Sequence, residues 1–336
     1  MRDMSTIVEV RPLVPATRER KKASRYAKPE KLVYQHLAWP YLMLIPVLYI
    51  LGAYAMVKRM IYRLFKAKAK TNIWLVDGIS QSSRAVRDGA ATYRALDVVY
   101  NFKEGQGSSR LVRDIDWFWI HVRNAQAVWN RYRIVRSELC SAIQRRSFDY
   151  DKIPSEPIRI LSIAAGSAQA VIEAMAEMKR QGYEVEALLL DASSKALAYA
   201  EELAAKHGLT DSVRTKKCLI VADVNGGDVY DFENKIGDFK PDIIEMAGLI
   251  DYLLDDQIIE LFQRIYVLLP VGGTFITCHI HPNHESFFLL WVVNWWMRYR
   301  SKSQLEALLK RGWFEISSLI TEPHRIHTVA VARRWR

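Results

Sequence analysis

The chain has 336 residues, half of them hydrophobic and a quarter charged, which is enough for one large α/β domain plus an accessory region. Its three cysteines, Cys140, Cys218 and Cys278, lie far apart with no Cys-x-x-Cys spacing. That argues against a disulfide framework or a zinc site and for reduced thiols in a cytosolic setting. The formal net charge of +11 sits wholly in residues 1–70, which hold 15 Lys/Arg against 4 Asp/Glu, whereas the remainder holds 33 of each sign. A basic arm suits an anionic membrane surface or, as the second choice, a nucleic-acid tail, and the neutral globule behind it favours the membrane.

Within residues 1–70 no Lys, Arg, Asp or Glu occurs between Lys31 and Lys58. Residues 37–57 form an apolar run bounded by Trp39 and Tyr41 at one end and by Lys58 and Arg59 at the other. About 20 apolar residues cross a bilayer, and such residues anchor its interfaces. The run starts too late, and lacks the small-residue site, for a cleaved signal peptide. Pro46 disfavours a straight helix. Basic residues on both sides leave orientation open, as they leave open a spanning or a re-entrant path. Beyond it, Val57, Met60, Ile61, Leu64 and Phe65 share a helical face with basic residues largely opposite, an in-plane amphipathic pattern. A buried core helix with a solvated basic edge is the plainer alternative.

Residues 71–150 read as helices rich in Arg and aromatics. Val128, Tyr132, Val135 and Leu139 recur at helical spacing, and these helices are expected to cap a sheet and wall a pocket. Gly105–Ser109 reads as a loop and Pro154–Pro157 as the linker into the core. From residue 158 strands and helices alternate. Strands are expected at 158–163, 185–190, 217–222, 242–246, 273–279, 314–319 and 326–333, the last two joined as a hairpin around Pro323. This is an α/β pattern, a mostly parallel seven-stranded sheet with helices on both faces. Three regions follow: a basic arm with a membrane-associated segment (1–70), a helical cap (71–150) and the sheet domain (151–336).

The stretch Ile158–Ala168 reads as a buried strand, a small-residue turn and a helix start. Asp191 ends the next strand 25 residues after Gly166. Small residues let backbone approach a ligand, the helix start offers free N–H groups, and the acid accepts hydrogen bonds from ribose hydroxyls. Ala222-Asp223-Val224, Asp242–Gly248 and Leu269–Thr274 follow in the order of a nucleoside-binding sheet.

Over about residues 155–335 these segments together resemble the class I S-adenosylmethionine-dependent methyltransferases, with their Rossmann-like sheet. The resemblance implies S-adenosylmethionine as cofactor, held around Ser162, Ala164, Gly166, Ser167, Asp191, Ala192, Asp223, Val224, Met246, Ala247 and Gly248. It also shows departures. Ser162 stands where the family has an acid that partners the methionine amino group, and Ala164 and Ala168 replace two glycines. Transfer of the aminocarboxypropyl group, or a degenerate nucleoside-binding scaffold at the membrane, therefore stays open beside methyl transfer.

The acceptor side is expected past the fourth and fifth strands, at Asp251, Tyr252, His279 and His281, and in the apolar insertion 287–301, with Tyr299 and Arg300. Gly248–Leu253 and Trp295–Ser301 resemble a bacterial subgroup that makes methyl esters of 3-hydroxy fatty acids. That resemblance implies a hydrophobic or lipid acceptor. A carboxylate acceptor needs alignment and desolvation but no base. A hydroxyl or amine needs one, for which His279 or His281 is the candidate, while Arg298 or Arg300 is suited to orient an anion. His279, His281 and His284 lack a nearby acid or cysteine at ligand spacing, so no metal is expected. The reading is a membrane-associated methyltransferase with its catalytic domain in the cytoplasm.

Overall fold

A computed structural model of the chain describes residues 32, 39–68, 70–103, 109–148, 156–221 and 232–335. Asp223 and Val224, like most of the basic arm, fall outside the described residues. Among the described residues, five α-helices precede the sheet: α1 (Trp39–Leu64), α2 (Gln81–Asp88), α3 (Tyr93–Tyr100), α4 (Arg110–His121) and α5 (Arg123–Arg146). Ser80, Thr92 and Ser109 cap α2, α3 and α4 by accepting hydrogen bonds from free N–H groups of the first turn. The start of α5 has no capping side chain of its own. Glu285 supplies the cap from across the chain, accepting from the N–H groups of Arg123 (2.9 Å) and Asn124 (2.8 Å).

The sheet contains β1 (Ile158–Ile163), β2 (Val185–Asp191), β3 (Val213–Lys217), β4 (Ile243–Ala247), β5 (Thr274–Ile280), β6 (Glu315–Thr321) and β7 (His327–Arg333), in the order β3-β2-β1-β4-β5-β7-β6. All neighbours pair parallel except β7, which runs antiparallel to β5 and β6. Helices α6 (Gln169–Arg180), α7 (Ser194–Lys206), α8 (Asp255–Leu268) and α9 (Lys302–Arg311) lie between strands or before the final hairpin. The order reverses between β1 and β4, so the crevice for a ligand opens at their carboxyl ends.

The third strand corrects the sequence-based expectation. It occupies 213–217 and not 217–222. The apolar run Cys218-Leu219-Ile220-Val221 looks more strand-like than Val213-Arg-Thr-Lys-Lys, but β3 is an edge strand. An edge tolerates polar side chains, and Cys218, Ile220 and Val221 bury themselves just beyond the strand.

Strand alternation divides the core. Ile160, Ala187, Leu189, Ile243, Ile276 and Val331 face α5 and α6, packing on Leu139, Ile143, Ile172 and Met175. Leu161, Ile163, Leu188, Leu190, Ile244 and Phe275 face α8 and α9, packing on Phe262, Ile265, Leu305 and Leu309. Each of the Ile, Leu, Val, Met and Phe side chains among these contributes roughly 1.5–3 kcal/mol when taken from water.

Helix α1 touches the globule along one stripe, Leu48, Gly52 and Ala55. Gly52 lets the helix lie close, since a Cβ there would meet the Phe287 ring at 2.6 Å. Met43, Ile50, Tyr54, Val57, Ile61, Leu64 and Phe65 are exposed.

Candidate functional site

The turn after β1 takes its shape from three left-handed residues, Ala164 (φ 54°), Gly166 (φ 56°) and Ala168 (φ 49°). The backbone therefore folds back tightly, and the N–H of Gly166 reaches the Asp191 Oδ2 at 2.8 Å. The other carboxylate oxygen, Oδ1, accepts from the Ser193 N–H at 2.8 Å. Asp191 is thus pinned at the end of β2, and each oxygen keeps a lone pair for a ligand.

This turn forms part of the wall of a cavity of about 700 Å³. Its rim and roof come from α2, α3, α4 and α5 and from the segment 289–297. Val86, Val98, Trp119, Val128, Leu289, Val293 and Met297 give it a largely apolar lining. The structure brings Ala164, Gly166, Ser167, Asp191, Ala192, Ala247, Gly248, Asp251 and Tyr252 to this cavity. Gly248 is left-handed (φ 99°) and opens the wall beneath Arg131, whose Nη1 stands 3.8 Å from where a Cβ would be.

Other sequence-predicted residues lie behind the wall. Met246 points to the opposite face of the sheet, into the core with Phe262. Ser162 is fully buried and donates from Oγ to Glu245 Oε2 at 2.6 Å. His279 is fully buried, with Nδ1 2.6 Å from Asp251 Oδ1, and it braces that acid from beneath. Asp251 also accepts from the Ile280 N–H. His281 donates from Nδ1 to the Arg300 carbonyl (2.8 Å), and its Nε2 lies 2.6 Å from Thr328 Oγ1. Burial holds its imidazole below the ordinary histidine range, although the Arg300 carbonyl opposes the shift. Arg300 is spent on Asp255 Oδ1 and the carbonyls of Ile250 and Leu253. It clamps the loop that carries Asp251 and Tyr252 and does not reach the cavity. Tyr299 packs beside Ala127, Ile280 and Ile326.

Three cavity residues escaped the sequence reading. Arg131, on α5, is only 5 % exposed, yet its one described hydrogen bond is a long contact of Nη2 with Tyr100 Oη at 3.5 Å. Burial opposes its charge, but Cys278, Tyr100 and Asp251 outweigh that and hold the guanidinium protonated. His327 opens β7 and lines the cavity at 1 % exposure. Burial, then Arg131, His279 and His281, push its imidazole well below the ordinary range, so it is neutral at pH 7. Glu245, on β4, also lines the cavity, and burial raises its carboxyl to about 7. Tyr252 presents a hydroxyl that accepts from Trp295 Nε1 at 2.7 Å and keeps its own proton for donation.

A buried pocket at the β1–β4 switch point, with a pinned acid and close-approach backbone, fits a nucleoside cofactor. A family model described as "Putative methyltransferase" matches residues 49–334. No curated protein sequence matches the chain. Among solved structures, one described as a possible exported protein from Bordetella parapertussis is 15% identical, covers 90% of this chain and 100% of its own, and superposes with a TM-score of 0.57. The CurJ carbon methyltransferase is 15% identical over 76% of this chain and 70% of its own, with a TM-score of 0.49. An O-methyltransferase family 2 protein from Planctomyces limnophilus, in complex with apigenin, is 12% identical over 86% and 95%, with a TM-score of 0.44.

Proposed function

The chain belongs to this methyltransferase family and is a class I S-adenosylmethionine-dependent enzyme; from that premise we propose that its acceptor is a hydrophobic small molecule bearing a carboxylate, of the (3-hydroxy) fatty acid kind, met at a membrane surface. The observation that carries this reading is Arg131. A buried guanidinium without a close ion pair among the described residues, set in an apolar cavity, calls for an anion.

When bound, the cofactor supplies an electrophilic methyl group on a sulfonium. The chain's own residues do the rest. The turn Ala164–Ala168 lets backbone approach the nucleoside, and Asp191 offers its free lone pairs to ribose hydroxyls. Arg131 turns a carboxylate towards the crevice above Gly248. The apolar walls strip water from that carboxylate, which raises its nucleophilicity. No proton is removed, so no base is required. A second reading has a specific support: His327 lines the cavity with its imidazole unprotonated, placed to accept a proton from a hydroxyl acceptor, although burial weakens it as a base.

Labelled S-adenosylmethionine incubated with enzyme and a total lipid extract tests both. The expected products are a labelled methyl ester and S-adenosylhomocysteine. Arg131→Met is expected to cut kcat/KM for the acceptor by roughly 100-fold, from the loss of a charge-assisted pair, with cofactor affinity little changed. A labelled methyl ether that disappears in His327→Asn supports the second reading instead. Methylthioadenosine as by-product overturns methyl transfer in favour of aminocarboxypropyl transfer, and cofactor binding without any turnover favours the scaffold.

A further inference from the structure

β1 carries Ser162, a neutral side chain, where the cavity floor meets the sheet. The register pairs it with Glu245 on β4, and both side chains point to the α5 face. Ser162 Oγ donates to Glu245 Oε2 at 2.6 Å, and the Ala247 N–H supports the same carboxylate. Glu245 is 6 % exposed and lines the cavity. No ion pair to it occurs among the described residues. A carboxyl sequestered this way, with neutral donors on one side and open cavity on the other, has no close ion pair to repay its desolvation; Arg131 acts on it only at longer range and offsets the cost in part.

The other acids of the wall are occupied or elsewhere. Asp191 is held by Gly166 and Ser193. Asp251 is held by Ile280 and lies against His279. Asp116 sits on cap helix α4, away from the sheet, and Asp88 ends cap helix α2 paired with Arg87 at 2.8 Å. Asp191 ends β2 on one side of the Ala164–Ala168 turn, and Glu245 is the wall acid on β4 at its other side. Resting on the cofactor assignment above, we propose that Glu245 receives the ammonium group of the cofactor's amino-acid end, so that the binding acid has moved from β1 to β4 and Ser162 holds it in place.

The groups facing Glu245 are few: Ser162 from β1, Arg131 from α5 and the Cys278 thiol from β5. Burial raises the carboxyl to about 7 and the Ser162 hydrogen bond, Ala247 N–H and Arg131 pull it back only partly. An arriving ammonium favours the ionised form. At pH 7 the carboxyl is protonated in about half the molecules and must release that proton on binding.

The test is calorimetry at pH 7 with three ligands: S-adenosylhomocysteine, its analogue lacking the α-amino group, and methylthioadenosine, which lacks the whole amino-acid end. Wild type is expected to prefer S-adenosylhomocysteine over the desamino analogue by roughly 10–100-fold. Glu245→Gln should erase that preference while leaving methylthioadenosine affinity unchanged, and Asp116→Asn should keep it. Titrations in buffers of different ionisation enthalpy should show about half a proton released per S-adenosylhomocysteine bound, and none in Glu245→Gln. A preference that survives in Glu245→Gln, or that vanishes in Asp116→Asn instead, overturns the proposal with the cofactor reading intact. Failure of wild type to bind any of the three ligands overturns the cofactor reading itself.

Discussion

Ala164 and Ala168 hold left-handed backbone where glycine is the ordinary residue. The left-handed region costs an L-residue roughly 1–2 kcal/mol, and glycine pays back only part of that in chain entropy. Ala164 is half-buried, so its methyl adds little packing. Ala164→Gly is therefore expected to stabilise the protein by about 0.5–1 kcal/mol, read from urea unfolding; Ala168→Gly gains less, because its methyl lies in the core. A second residue-scale prediction concerns His324, whose imidazole burial and then Arg123 depress to about 4. The unfolded chain takes that proton near 6.5, the fold near 4, so the stability is present above pH 6.5 and is lost as pH falls towards 4. Relative to His324→Asn, wild type should lose up to about 1.4 kcal/mol per pH unit through that window. A difference that stays flat with pH would refute the assignment. Glu245 works in the opposite sense: its raised carboxyl makes the fold the better proton binder between 4.5 and 7, so it adds stability as pH falls through that range. That Ala164, Gly166 and Asp191 share one cavity wall was readable in the sequence because they lie close in the chain and follow strand ends. Arg131, Glu245 and His327 were not, because one sits in mid-helix among other arginines, one inside a strand, and one in a terminal hairpin. Only the packing of α5 over β4, β5 and β7 brings them together.

Among the elements, α5 links the chemistry to the fold. It spans 24 residues, lies across the sheet and carries both Arg131 and Tyr132. Its start is capped by Glu285, which is 1 % exposed and also accepts from Asn124 Nδ2 at 2.7 Å. A carboxylate on free N–H groups at a helix start gains from the helix dipole as well as from the hydrogen bonds. Glu285→Ala strands buried donors and is expected to cost about 2–4 kcal/mol in denaturant unfolding. Glu285→Gln keeps an acceptor and should recover about half of that. Equal losses in the two variants would show that the carboxylate charge matters and the side chain's shape does not. The sequence revealed α5 by periodicity, but nothing local announced a cap 161 residues away. The strands tell the same story. The six outside β3 were legible within two residues, since a parallel sheet buried on both faces demands continuous apolar runs. β3 was displaced because an edge strand is free of that demand.

At the scale of the whole molecule, the proposed meeting with a membrane rests on how α1 is held. The helix is long enough to cross hydrocarbon, about 39 Å at 1.5 Å per residue. Its middle is not free to do so. Leu48, Gly52 and Ala55 dock on the segment 286–293, Lys58 Nζ donates to the carbonyls of Thr71 and Asn72, and Arg59 binds the side chains of Asn72 and Asn294. A perpendicular crossing would drag these polar contacts and the docked wall into lipid, at several kcal/mol per unsatisfied group. Lying in the interface plane costs none of them and leaves Met43, Ile50, Tyr54, Ile61 and Phe65 on the exposed side. The same wall has two uses: Leu289 and Val293 line the cavity, while Phe287 packs on α1. An apolar acceptor leaving the bilayer would therefore have only this thin partition to pass. Fluorophores at Met43 and Phe65, close to opposite ends of the helix, should be quenched to the same shallow depth by brominated lipids in anionic vesicles. Ile50→Glu with Ile61→Glu should release the protein from those vesicles while S-adenosylhomocysteine affinity is kept. Deep quenching at mid-helix with both ends shallow would mean that α1 has left its docking stripe to span the bilayer, and the acceptor would then need another way in.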